Sequence, residues 1–290
     1  MAEKNNYNDA SEFPSLIKLL DDESDFVYKN IRNKFLEYGN TAADYLKDYL
    51  NSDNPLVSKR AKEIISIIYF DKIDTKLKQL SLKNTNDILE DALFNIASFE
   101  YPEIDINEYR SVLDKMALEI DFEISKGRVA SDAYNILNSF NNYLFKKLEY
   151  KGNLDNYYDP DNSYINKVID RKLGIPISLC SVYILLARRL RIPIYGINLP
   201  QHFIVKYVDD KNELFIDPFN GGLVVSKQEA IKFLNQIGME MPNLEKLPFL
   251  NIAYDKDIIK RTLNNLIQIY EENNEPLKAD SLRKLNANFD

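Results

Sequence analysis

One block of this 290-residue chain is built unlike the rest. From Ile192 onward the words "IPIYGINL", "QHFIVKYV", "ELFIDPF" and "GGLVVS" follow one another, each short, β-branched and aromatic, with "DDKN" placed to turn the second into the third. Elsewhere the apolar residues recur at three- and four-residue steps, and eight glycines in the whole chain leave few places to break a helix. A single strand-rich block inside a helical chain constrains the fold to a mostly helical α+β protein with a small antiparallel sheet.

The helical part is punctuated legibly. In "SDFVYKNIRNKFLEYG" the residues Phe26, Val27, Asn30, Ile31, Lys34, Phe35 and Tyr38 recur at helical spacing, Ser24 or Asp25 can cap the first amides, and Gly39 provides the stop. Asn54 and Pro55 open another helix as cap and first residue. The phrase "LIKLLDDESDFVYKNIRNKFLEYG" resembles a degenerate HEAT-type repeat, with an irregular helical bundle as the alternative. Further helices are expected over about 87–98, 106–124 and 131–148, the middle one with Tyr109, Leu113, Met116, Ala117 and Ile120 on one face. A polar, turn-rich loop, "EYKGNLDNYYDPDNSY", then separates them from helices over about 164–172 and 176–190. After the strands, "SKQEAIKFLNQIG" and two last helices return to the helical pattern, the final pair similar to a tetratricopeptide hairpin. The expected division is an N-terminal helical region over 1–80, a core over 81–250 and a C-terminal helical hairpin over 251–290.

Bulk chemistry excludes several functions. A net charge of −8 does not suit a chain whose affinity is for phosphate backbones, so no nucleic-acid partner is expected. The longest nearly uncharged run, Ile175 to Ala187, is too short to cross a bilayer, and the single cysteine makes no internal disulfide, which together predict a cytoplasmic protein without a membrane partner. No glycine-rich phosphate loop occurs, and one histidine with one cysteine cannot form a zinc cluster, so neither cofactor nor metal is expected.

What remains is the only cysteine, Cys180, the only histidine, His202, and Asp217 in "IDPF". A helix followed by antiparallel strands, with histidine on one strand and aspartate on the next, is the layout of papain-like and transglutaminase-like thiol enzymes. The helix N-terminus lowers a thiol's pKa and holds an oxyanion, the histidine takes the thiol proton, and the carboxylate fixes its tautomer. The stretch "YYDPDNSYINKVIDRKLGIPISLCSVYILLARRLRIPIYGINLPQHFIVKYVDDKNELFIDPFNGGLVVS" resembles the bacterial SirB-type transglutaminase-like family, whose core also occurs in some eukaryotic F-box proteins. The resemblance is densest over Asn153 to Ser226 and extends through "EYPEIDINEYRSVLDKMA" and "IIKRTLNNLIQIY". It implies that His202 and Asp217 stand at the base and orienter positions, and that Pro176 stands where the nucleophile would be.

Cys180 lies four residues after Pro176, about 6 Å along the helix, beyond the turn where the dipole acts. Its neighbours Leu179, Val182, Tyr183, Ile184 and Leu186 suit a thiol used as core filler, although a nucleophile is the other reading. Ser178, still in the first turn, is a second candidate nucleophile, against the plainer role of satisfying nearby backbone groups. Tyr157 and Tyr158 are candidate lining residues of a cleft. Two functions follow: an altered or non-catalytic module that binds a protein or peptide, or an acyl-transfer enzyme using Cys180 or Ser178 with His202 and Asp217 on an amide.

Overall fold

A computed structural model of the chain describes residues 10–83, 85–126, 132–225, 227–229 and 251–290. It divides into two compact units, one ending at Lys76 and one running from Leu77 to Asp290.

In the first unit α1 (Phe13–Leu19), α2 (Asp25–Tyr38), α3 (Asn40–Leu46) and the leading turns of α4 (Pro55–Ser81) enclose an apolar core. The helix ends follow local chemistry. Ser24 Oγ accepts the Val27 amide at 3.5 Å, Asn54 Oδ1 accepts those of Leu56 and Val57 at 2.9 and 3.3 Å, and Gly39 takes a positive φ of 53° so that α3 can start as α2 stops. Phe13 gathers the rings of Phe35, Tyr38 and Tyr45, with centroids 4.9–5.8 Å away. Ile31 and Phe35 are buried as their spacing requires, whereas Phe26 is 77% exposed, because one residue on a helix is about a 100° rotation away from Val27. Buried Arg60 donates from Nη1 to the carbonyls of Leu20 and Asp22, at 2.9 and 2.5 Å, which pins the link between α1 and α2.

The second unit carries α5 (Leu89–Glu100), α6 (Ile106–Lys126), and α7 (Ala133–Asn141) extended by a π-helical turn over Asn142–Lys147. Then come β1 (Lys151–Gly152), α8 (Ile165–Arg171), β2 (Leu173–Gly174) and α9 (Pro176–Arg189). The sheet strands are β3 (Ile194–Leu199), β4 (His202–Val208), β5 (Glu213–Asp217), β6 (Leu223–Val225) and β7 (Ile252–Ala253), followed by α10 (Asp255–Glu272) and α11 (Pro276–Asn286). These five strands form an antiparallel sheet in the order β6-β5-β4-β3-β7. The fold is the mostly helical α+β arrangement with a C-terminal helical pair. The helix expected over "SKQEAIKFLNQIG" lies, apart from residues 227–229, outside the described residues.

From Pro176 to Ala187 every residue of α9 is buried, which is what a helix apolar on all sides must be. It packs against α6, α8, α10, β3 and β4. The C-terminal pair is joined to the same core by polar groups. Asp255, 1% exposed, accepts the Ile88 and Leu89 amides at the start of α5, both at 2.9 Å, and an Arg188 Nη1 hydrogen at 3.0 Å. Tyr164 and Tyr270 bond through their hydroxyls at 3.0 Å, linking α10 to the start of α8.

Candidate functional site

The site is built at the end of the β3–β4 hairpin. Leu199 and His202 form its last pair, with only Pro200 and Gln201 in the turn. Gln201 takes a φ of +56°, a left-handed conformation that costs a residue with a Cβ about 1 kcal/mol or more. This strain lies directly beside His202. Val205 pairs with Ile216 across β4 and β5, so the same register sets Asp217 opposite Ile204, two residues from His202 and therefore on its face of the sheet. The diagonal pair meets: His202 Nε2 and Asp217 Oδ2 are 2.8 Å apart, with both side chains 13% exposed.

Asp217 does more than hold the imidazole. Its Oδ1 accepts the amides of Phe219 and Asn220 at 3.1 and 3.2 Å, and its Oδ2 also accepts Asn220 Nδ2 at 2.8 Å, so one carboxylate folds the turn that leaves β5. Burial pushes this carboxyl up, but the His202 hydrogen bond and charge, helped by Asn220, outweigh it and hold the group below the ordinary aspartate value. The turn is fixed at its far end, where Asn141 Nδ2 donates to the Gly222 carbonyl at 2.6 Å.

Phe219, presented by that turn, touches His202 edge-on at 6.2 Å between centroids and Tyr157 at 6.3 Å; Tyr157 in turn meets Tyr158 at 5.4 Å. A row of aromatic rings thus runs from the imidazole into the loop after β1. Gly152 makes this possible, since a Cβ there would lie 2.5 Å from Phe219 Cε2. Gly152 pairs with Gly174 in the short parallel ladder just ahead of α9, which brings the start of that helix into the same neighbourhood.

Buried Asn162 ties the loop to the helix. Its Nδ2 donates to the carbonyls of Asn156 and Tyr157 at 2.7 and 3.2 Å, its Oδ1 accepts Asn153 Nδ2 at 3.0 Å, and its own carbonyl receives the Ser178 hydroxyl at 2.5 Å. Ser178 Oγ also accepts the Ile175 amide at 3.1 Å. The Ser178 hydroxyl is therefore engaged in joining the loop to the first turn of α9.

Cys180 is completely buried, and its thiol donates to the Phe203 carbonyl at 3.4 Å. Burial, with a smaller contribution from the Asp217 carboxylate, pushes the thiol well above its ordinary value. Pro176 begins α9 at its first helical position and has no N–H to offer there. Four residues that the sequence singles out thus fall into two arrangements: His202 with Asp217 at the hairpin end, and Ser178 and Cys180 inside the packing of α9.

Sequence reasoning missed Asn162, Phe219 and Arg261. Arg261, on α10, donates from Nη1 to the Leu199 carbonyl at 2.7 Å and to Asn198 Oδ1, with its guanidinium 5.7 Å over the Phe203 ring. "DPDN" did signal a turn, but no local pattern ties Asn162 to a helix that begins fourteen residues later. Among the described residues no three His, Cys, Asp or Glu side chains gather as metal ligands, and no helix is long and apolar enough to cross a membrane. A surface pocket of about 390 Å³ lined by Lys83, Asn86, Tyr254 and Lys256 includes none of the four candidate residues.

A family model described as "Transglutaminase-like superfamily" matches residues 107–264. The UPF0162 protein of Xylella fastidiosa (strain 9a5c) is 40% identical over 185 residues, 62% of this chain and 63% of that protein. F-box only protein 21 of Homo sapiens is 28% identical over 142 residues, 46% of this chain and 22% of that protein. The chain therefore spans a little under two thirds of the bacterial relative it matches. No solved structure matches.

Proposed function

The chain belongs to the transglutaminase-like superfamily, and on that footing we propose that it is a SirB-type member acting as a cytoplasmic binding module for a protein or peptide. Its cleft is formed by His202, Phe219 and Tyr157, and the His202–Asp217 pair is retained as a clamp rather than as an acid–base catalyst. The observation that carries this is the state of the only thiol: Cys180 Sγ has no exposed surface and spends its proton on the Phe203 carbonyl. A nucleophile must approach its base to about 3 Å and present itself to a substrate, which a fully buried sulfur one turn inside a helix does not do. Asp217 has a sufficient structural reason to exist, because it folds its own turn. Likeness to a region of F-box only protein 21 fits a module that meets other proteins.

The competing reading, an acyl-transfer enzyme, is favoured by one observation. His202 Nε2 lies 2.8 Å from the Asp217 carboxylate, the contact that would orient an imidazole acting as a base. Thiol alkylation separates the two. With iodoacetamide at or below neutral pH, the native chain is expected to gain no mass at Cys180 over hours, and to gain one label rapidly in denaturant. Rapid labelling of the native chain that slows in His202→Ala would make it an enzyme.

A further inference from the structure

Arg261 stands out among the charged groups of the second unit. It is half-buried, its Nη1 is used by the hairpin end, and its Nε and Nη2 hydrogens meet no acceptor among the described residues. No carboxylate among the described residues pairs with it, whereas Arg188 and Arg189 on the neighbouring α9 each have an acidic partner. Burial penalises this guanidinium and pulls its pKa below the ordinary arginine value. A guanidinium stays charged at any pH a protein survives, and its planar fork fits the two oxygens of a carboxylate. Its position is also telling. The Leu199 carbonyl it holds belongs to the residue paired with His202, and Tyr157, close enough to feel its charge, belongs to the aromatic row that ends on the imidazole.

We propose that Arg261 is the anchor of a carboxylate-binding subsite at the hairpin end, and that the ligand of the cleft is a peptide-like molecule carrying a carboxylate beside an aromatic or apolar side chain. The carboxylate completes the guanidinium fork and the side chain lies on Tyr157 and Phe219. This rests on the cleft reading above. The carboxylate could be a chain terminus or an acidic side chain, which present the same two oxygens.

His202 is the only histidine, so its imidazole gives one unambiguous NMR signal in the full chain. Titrations with N-acetylphenylalanine, its neutral amide, and N-acetylaspartylphenylalaninamide are the test, read at that signal and at the amides of Leu199, Phe203 and Phe219. At least one carboxylate-bearing probe should shift these signals saturably, with the neutral amide about tenfold weaker or worse. The stronger of the two acids identifies terminus or side chain. Arg261→Gln should erase the preference for acid over amide, and Arg261→Lys should keep part of it. Equal binding of acid and amide to the unaltered chain, a preference that survives in Arg261→Gln, or no shift with any probe overturns the inference. The comparison on the unaltered chain decides even if Arg261→Gln does not fold. Equal binding leaves the cleft reading standing, whereas native alkylation of Cys180 ends the non-catalytic reading and leaves Arg261 as a substrate contact.

Discussion

Asp217 illustrates how one side chain can be overdetermined. It accepts hydrogen bonds from His202, Phe219 and Asn220, and the His202 bond is the one that catalysis would also require. Because its folded pKa is depressed, the stabilisation it gives is complete above the ordinary carboxylate value of about 3.9 and is lost as the pH falls through the lower folded value. Asp217→Asn should therefore lower stability at neutral pH by about 1–3 kcal/mol and flatten the acid limb of the stability curve. Urea unfolding of the two proteins at neutral and acid pH measures this, and parallel curves would refute it. Gln201 is the opposite case, a residue whose backbone is strained. Gln201→Gly should raise the denaturation midpoint by an amount equivalent to about 0.5–1 kcal/mol, since glycine adopts positive φ freely; a lower midpoint would mean that the turn is not strained. His202 and Asp217 could be singled out from sequence because their residue types are rare or motif-bound, whereas Arg261 was one cation among 37.

At the scale of elements, two polar residues join segments far apart in the chain. Asp255, at the start of α10, supplies the N-terminal cap that α5 lacks locally and neutralises Arg188 of α9. Asp255→Ala should cost about 3–5 kcal/mol because it leaves a partly buried guanidinium and two helix amides unsatisfied. Thermal and urea unfolding test it, and a loss below about 1 kcal/mol would show the ion pair to be dispensable. Asn162 plays the corresponding part for the loop. Asn162→Ala should accelerate amide exchange over 153–163 well before the strands of the sheet, because its side chain holds Asn153, Asn156 and Tyr157 together within that loop, whereas the backbone carbonyl that receives the Ser178 hydroxyl is kept. Uniform acceleration across the second unit would indicate a global rather than a local role. The helices themselves were legible because Ser24, Gly39, Asn54 and Pro55 act within a few residues of where they stand. Strand β7 and the β1–β2 ladder were not legible: two residues carry no period, and only their partners make them strands.

For the molecule as a whole, tryptophan is absent and buried tyrosines such as Tyr150, Tyr164, Tyr183 and Tyr270 serve as large core residues with a polar end. Tyr164 and Tyr183 are fully buried, and burial pushes both phenols well above the ordinary value; Tyr207 is pushed up to about 12 by burial and by Asp209. The folded form keeps protons that the unfolded chain releases near pH 10, so stability falls as the pH rises beyond that point. Phenolate absorbance should therefore include a component that appears only together with loss of circular dichroism. Complete ionisation with the fold intact would contradict the burial. The sequence by itself determined the class of fold, most helix limits and the block of antiparallel strands, because periodicity, caps and turn residues are short-range properties, and it marked out His202 and Asp217 through a resemblance to a family pattern rather than through register. Only the tertiary structure decided that the Cys180 sulfur is sealed against a backbone carbonyl, that Asn162 and Ser178 are used in joining a loop to a helix, and that Arg261 stands at the hairpin end without an acid among the described residues. Those outcomes depend on which distant surfaces meet, and no pattern within one segment encodes that.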